Sequence, residues 1–185
     1  MTECCNARET PGLALPAAHP QTVQFMRDEL TYVGFEEMLT PEQVENILSQ
    51  TNGESVLIFI NSVCGCAAGS ARPGVSLALQ HSVIPDKLTT VFAGQDREAV
   101  NHVRKNYLGD FPPSSPALAL VKNGKLLYMM QRHQIEGQTP EQIASELTKV
   151  FDKHCTQEGP SITKDNYEKL VHAKACGSKI PVINN

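Results

Sequence analysis

Nowhere in this 185-residue chain do apolar residues run on for the roughly 18 positions that a membrane-spanning helix needs, so no membrane partner is expected. Blocks of Lys or Arg are missing too. With 16 Lys and Arg against 20 Asp and Glu, the net charge of −4 makes nucleic acid and anionic membrane poor partners. Residues 1–20 hold Cys4, Cys5, Arg8 and prolines but no apolar run of signal-peptide length, so export is not expected and a cytoplasmic location is. Six cysteines would suit a disulfide framework in a small secreted chain, and this one reads as neither small nor secreted. Reactive or metal-binding thiols are then the leading readings. At 41% hydrophobic residues, the chain can bury one sizeable core and is too short for two full domains.

What is present sorts into helices and strands. Val23, Met26, Leu30 and Val33 recur at helical spacing, which predicts an amphipathic helix over about 18–33. Thr40-Pro41-Glu42-Gln43 reads as a helix start with a capping box, and Val44, Ile47 and Leu48 as that helix's buried face. The same signature returns at Thr139 to Gln142, ahead of Ile143, Leu147, Val150 and Phe151. Val56 to Ile60 is a continuous apolar run and reads as a strand buried on both faces. A second strand fits Leu88 to Ala93, followed by a helix through Val100, Val103, Tyr107 and Leu108 with Asp96 as its N-cap. Ala117–Val121 and Leu126–Met130 flank Asn123-Gly124, a type I′ hairpin signal.

Strands joined through helices imply parallel pairing, and the late hairpin adds antiparallel strands. The expected fold is α/β, with a thioredoxin-like mixed central sheet flanked by helices on both faces and an extra N-terminal helix. Its expected divisions are a tail over 1–17, a domain over 18–154 and a C-terminal extension over 155–185 with little periodicity beyond Tyr167, Leu170 and Val171.

The chemistry gathers at Cys64-Gly65-Cys66, where the apolar strand ends and a helix begins. Ligands and reactive groups collect at such strand ends in α/β proteins. Unpaired N–H groups at the helix start favour thiolate over thiol and should lower the pKa of Cys64 below the ordinary value of about 8.5. Gly65 lets the backbone turn tightly, so that Cys66 can reach Cys64 and expel a bound partner. A disulfide closed over so few residues is expected to be strained and readily reduced. Pro73 should kink the helix or end its first segment. The rival reading of Cys64 and Cys66 is a pair of buried or metal-binding cysteines.

The stretch Asn61-Ser62-Val63-Cys64-Gly65-Cys66-Ala67-Ala68-Gly69, with Ala71-Arg72-Pro73 after it, resembles the bacilliredoxins, thioredoxin-like proteins of bacteria that use bacillithiol. Phe111-Pro112-Pro113-Ser114-Ser115-Pro116, the hairpin, Arg132-His133 and Ile135-Glu136-Gly137 carry the same resemblance, which spans about 18–155. It implies a thioredoxin-like fold and removal of bacillithiol from mixed disulfides on oxidised proteins, with bacillithiol as thiol co-substrate and no bound cofactor or metal. Cys64 would attack and take the bacillithiol, Cys66 would resolve the adduct, and Ser115-Pro116 would form the cis-proline turn that faces the redox pair and binds substrate.

Beside that reading stand a general reductase or isomerase of protein disulfides and a non-enzymatic metal or iron-sulfur carrier. Arg72 and Arg132 can attract the carboxylates of an anionic thiol, but solvated surface arginines are the favoured reading of both. His133 reads as a structural histidine rather than a proton shuttle. Cys4, Cys5, Cys155 and Cys176 show no regular ligand spacing and read as bystanders.

Overall fold

The computed structural model describes residues 20–109, 111–177 and 179–180. The 1–17 tail, with Cys4 and Cys5, lies outside the described residues.

A five-stranded sheet orders the molecule as β1-β4-β2-β5-β6, and three of its strands are parallel. They are β1 (Glu36–Glu37), β4 (Lys87–Phe92) and the central β2 (Ser55–Asn61), and every residue of β2 is buried. β5 (Ala117–Lys122) runs antiparallel to β2, and β6 (Lys125–Met130) antiparallel to β5. Their hairpin turns on Asn123 and Gly124 at φ 51° and 70°, the left-handed pair that a type I′ turn requires.

Alternation along the strands divides the core in two. Leu57 and Phe59 of β2 and Leu118 and Leu120 of β5 point to one face, and Val56, Ile58, Ile60, Ala117, Ala119 and Val121 to the other. The first face is covered by α1 (Pro20–Thr31), α3 (Arg72–Ala78) and α6 (Pro140–His154), the second by α2 (Pro41–Leu48) and α4 (Arg97–Tyr107). A mixed sheet with helices on both faces and an added helix ahead of it is the fold read from the sequence. Both capping boxes form: Thr40 Oγ1 accepts from the Gln43 N–H and Thr139 Oγ1 from the Gln142 N–H, with each glutamine side chain reaching back.

Asp96 departs from expectation. It stands at the cap position of α4, but its carboxylate accepts from the Phe92 N–H at 2.8 Å and from Arg27 Nη2 at 2.7 Å. The stronger partner, a guanidinium, takes the side chain away from the helix end.

The described residues beyond 155 are folded onto the domain. β3 (Val83–Ile84) pairs with β7 (Gln157–Glu158), and α7 (Lys164–Cys176) buries Ala173 and packs Leu170 into the core on the α1 and α3 face. Thr163 caps α7 and Gly177 ends it in the left-handed conformation. A short α5 (Arg132–Ile135) precedes α6. β1, β3, β7 and α5 are too short to carry a period, and α7 is so weakly amphipathic that its order was not legible.

Candidate active site

β2 delivers the site. Its last residue, Asn61, is followed by Ser62 and Val63, and Cys64 precedes the helix that Gly65 and Cys66 open. The helix widens into a π-turn over Ala67–Ala71 before continuing as α3, in which Pro73 is the second residue. Pro73 lacks an N–H, and its ring crowds the carbonyl of Gly69 four residues back. The widened turn sits at that conflict, so the helix neither breaks nor needs a donor there.

Cys64 caps this helix with sulfur. The Ala67 N–H donates to Sγ at 3.4 Å and the Ser62 hydroxyl donates to it at 3.3 Å. Burial acting alone would raise the thiol. Hydrogen bonds from the Cys66 thiol, the Ser62 hydroxyl and the Ala67 and Cys66 N–H groups outweigh it and bring Cys64 below the ordinary thiol value. Cys66 moves the opposite way, raised first by burial, then by donating to Cys64 and by the negative charge there, against a smaller pull from Arg132. Both thiols are free and half-buried.

Under this pair lies a polar cluster that the sequence reading missed. Arg72 is 1% exposed, which corrects its reading as a solvated surface arginine. Its Nε donates to Glu29 Oε2 at 2.9 Å, and its Nη1 to Asn61 Oδ1 at 3.1 Å and to the Ser62 carbonyl at 3.2 Å. Asn61 Oδ1 also accepts from the Ser62 N–H at 2.9 Å, and Asn61 Nδ2 donates to the Met26 carbonyl at 3.1 Å. A guanidinium with this many partners can tolerate burial. Glu29 left a trace in the sequence: it sits on the Met26, Leu30, Val33 stripe, where a carboxylate among apolar neighbours signals a buried partner.

Arg132 is half exposed and pairs with Glu136 at 3.3 Å, in keeping with its surface reading. Its pKa is raised by the Glu136 hydrogen bond first, then by the charges of Cys66, Glu136 and Cys64. Ser115-Pro116 is a cis peptide bond immediately ahead of β5. Because Ala117 pairs with Ile60, the antiparallel register sets Pro116 at the Asn61 end of β2, the end that runs into Cys64. The loop ahead of it is pinned by three donors: Arg104 Nη2 to the Ser114 carbonyl at 3.2 Å, the Arg132 N–H to Ser114 Oγ at 2.8 Å, and Gln131 Nε2 to the Pro112 carbonyl at 3.3 Å. Val63 and Phe111 leave apolar surface exposed at 54% and 47%.

Cys155 is buried in the core, and its thiol is pushed up by that burial. Cys176 is exposed on α7 with His172 at 3.7 Å. Among the described residues, no three His, Cys, Asp or Glu side chains are grouped to hold a metal ion.

Residues 19–155 match the model of the disulphide isomerase family. A bacilliredoxin of Salinibacter ruber is 45% identical over 138 residues, covering 75% of this chain and 80% of that protein. A bacilliredoxin of Shouchella clausii is 48% identical over 135 residues, or 73% of this chain and 92% of the relative. Among solved structures, an oxidoreductase with a thioredoxin fold aligns with a TM-score of 0.50 at 15% identity, over 65% of this chain and 97% of its own. At that identity the likeness speaks to the fold alone.

Proposed function

The chain belongs to the bacilliredoxin family, and from that premise we propose that it removes bacillithiol from mixed disulfides on proteins, with Cys64 as nucleophile and Cys66 as resolving thiol. It is a thiol-disulfide oxidoreductase of thioredoxin-like fold acting on disulfide-containing proteins. One observation carries it most: a sulfur at a strand-to-helix junction, capped by the Ala67 N–H and the Ser62 hydroxyl and held below the ordinary thiol pKa.

The Cys64 thiolate attacks the bacillithiol sulfur of the mixed disulfide. A new S–S bond joins Cys64 to bacillithiol as the old one breaks, and the substrate leaves as a thiolate that takes a proton from water. Of the influences that raise Cys66, its hydrogen bond to Cys64 and the charge there vanish once Cys64 is capped. Cys66 then ionises more readily and attacks the Cys64 sulfur, expelling bacillithiol thiolate and closing the Cys64–Cys66 disulfide. A free bacillithiol thiolate attacking the bacillithiol sulfur of the adduct instead releases Cys64 and forms bacillithiol disulfide. Ser115 and Pro116 line the substrate side of the pair, and exposed Val63 beside the nucleophile suits a protein substrate. The work takes place in the cytoplasm, where mixed disulfides must be opened again. Bacillithiol is a co-substrate in this reading, and no bound cofactor takes part.

Intact-mass analysis after mixing with a bacillithiolated protein tests this. Cys66→Ser should accumulate the bacillithiol adduct on Cys64, and Cys64→Ser should gain none; an adduct on Cys64→Ser, or none on Cys66→Ser, would sink the proposal. The description of the matching family favours a second reading, isomerase or reductase action on protein disulfides without bacillithiol. Turnover of a scrambled protein in the absence of bacillithiol, abolished by Cys64→Ser, would support it.

A further inference from the structure

The family match ends at residue 155, yet the chain beyond it reaches the polar cluster under the reactive sulfur. Lys174, on the inner side of α7, donates from Nζ to Glu29 Oε2 at 2.6 Å. The same oxygen accepts from Arg72 Nε at 2.9 Å. From Arg72 the contacts run through Nη1 to Asn61 Oδ1 and the Ser62 carbonyl, and from the Ser62 hydroxyl to Cys64 Sγ at 3.3 Å. Two buried charges, Arg72 and Glu29, thus meet the half-buried Lys174 between α1, α3 and α7, and Arg72 stands one hydrogen-bonded residue, Ser62, away from the nucleophile.

α7 is fixed where this contact needs it. Leu170 and Ala173 are buried, and the Tyr32 hydroxyl donates to the Asn166 carbonyl at 3.2 Å. A carboxylate that faces only one guanidinium nitrogen can rotate about its last torsion. A second cation on the same oxygen removes that freedom and sets the plane in which Arg72 must lie.

We propose that Lys174 is a positioning residue for Cys64: its ammonium locks Glu29, Glu29 locks Arg72, and Arg72 holds Asn61 and Ser62 so that the Ser62 hydroxyl stays aimed at the sulfur. The role rests on the reading of Cys64 as the attacking thiol. It gives the C-terminal extension a positioning part in the site, since anything that lifts α7 away from Glu29 loosens the bond that favours the thiolate. No atom moves between α7 and substrate; the coupling is one of geometry.

The test is peptide-resolved iodoacetamide labelling of Cys64 across pH, on the reduced full-length chain, with thermal unfolding measured in parallel. Lys174→Met should shift the Cys64 profile to higher pH by about half a unit, a roughly threefold slower labelling below the pKa given that one unit is tenfold. Lys174→Arg, which keeps a cation in reach of Glu29, should restore the original profile. Lys169→Met, which removes a lysine of the same helix that contacts Asn166 rather than Glu29, should leave it in place. Should Lys174→Met fail to fold, Lys174→Gln is read in the same way. A profile in either variant that matches the unaltered chain, even with a lowered unfolding temperature, makes Lys174 merely structural and overturns the proposal while leaving Cys64 as nucleophile. An unaltered chain whose Cys64 titrates like an ordinary cysteine overturns both.

Discussion

Cys64 and Cys66 lie one residue apart, and the direction in which each thiol is shifted follows from who donates to whom. Burial opposes charge at both, but Cys64 collects the donors and Cys66 is one of them. Labelling of Cys64 should therefore stay fast below the pH at which an ordinary cysteine, near 8.5, slows, and fall only as the pH drops through its lowered value. Cys66→Ala removes a donor and should move the profile upward, whereas Cys66→Ser, which keeps a hydroxyl there, should move it less. The pH-dependent labelling of each variant checks the order. The same shift bears on stability: a thiol depressed in the folded state contributes stabilisation in full above its unfolded value and loses it as the pH falls through the folded one. Cys66, raised, opposes part of this at high pH.

At the level of elements, the helix carrying the pair meets α6 through Gly74. A Cβ there would lie 2.7 Å from Ile143 Cβ and 3.1 Å from the Pro140 carbonyl. One obstacle is a branched side chain at its root and the other is backbone, so neither can yield cheaply. Gly74→Ala should destabilise the fold by about 1–3 kcal/mol despite the better helix propensity of alanine. Urea unfolding measures it, and an unchanged midpoint would show that α3 and α6 can separate. The helix starts at Thr40 and Thr139 and the hairpin at Asn123-Gly124 were legible because their chemistry is local: a hydroxyl within reach of an N–H three residues on, and a pair of residues that accept positive φ. The π-turn ahead of Pro73 was legible only as a disturbance, since proline announces a conflict with the helix but not how the backbone resolves it.

Across the whole molecule, Glu29 gathers α1, α3 and α7 at one buried point, and through Arg72 it also engages the end of β2. Removing one partner of a buried ion pair strands the others. Glu29→Ala should cost about 3–5 kcal/mol, as Arg72 and Lys174 would face each other with no anion between them. Chemical denaturation of the full chain checks this, and a loss below 1 kcal/mol would mean that water or rearrangement replaces the carboxylate. Among the described residues no helix is long and apolar enough to cross a membrane.

The sequence by itself determined the order of the main elements, the two-faced sheet, the strand-to-helix setting of Cys64 and the family, because each is written in a local period, a cap, a turn or a contiguous motif. Tertiary structure alone decided that Arg72 is buried, that Asp96 serves Arg27 rather than α4, and that α7 docks with Lys174 on Glu29. Those contacts join residues far apart in the chain, and side chains such as Arg and Lys look the same in sequence whether solvated or paired. Only folding sets which carboxylate they meet. The Cys-Gly-Cys turn was visible from the start, while the scaffold that aims it came into view with the fold.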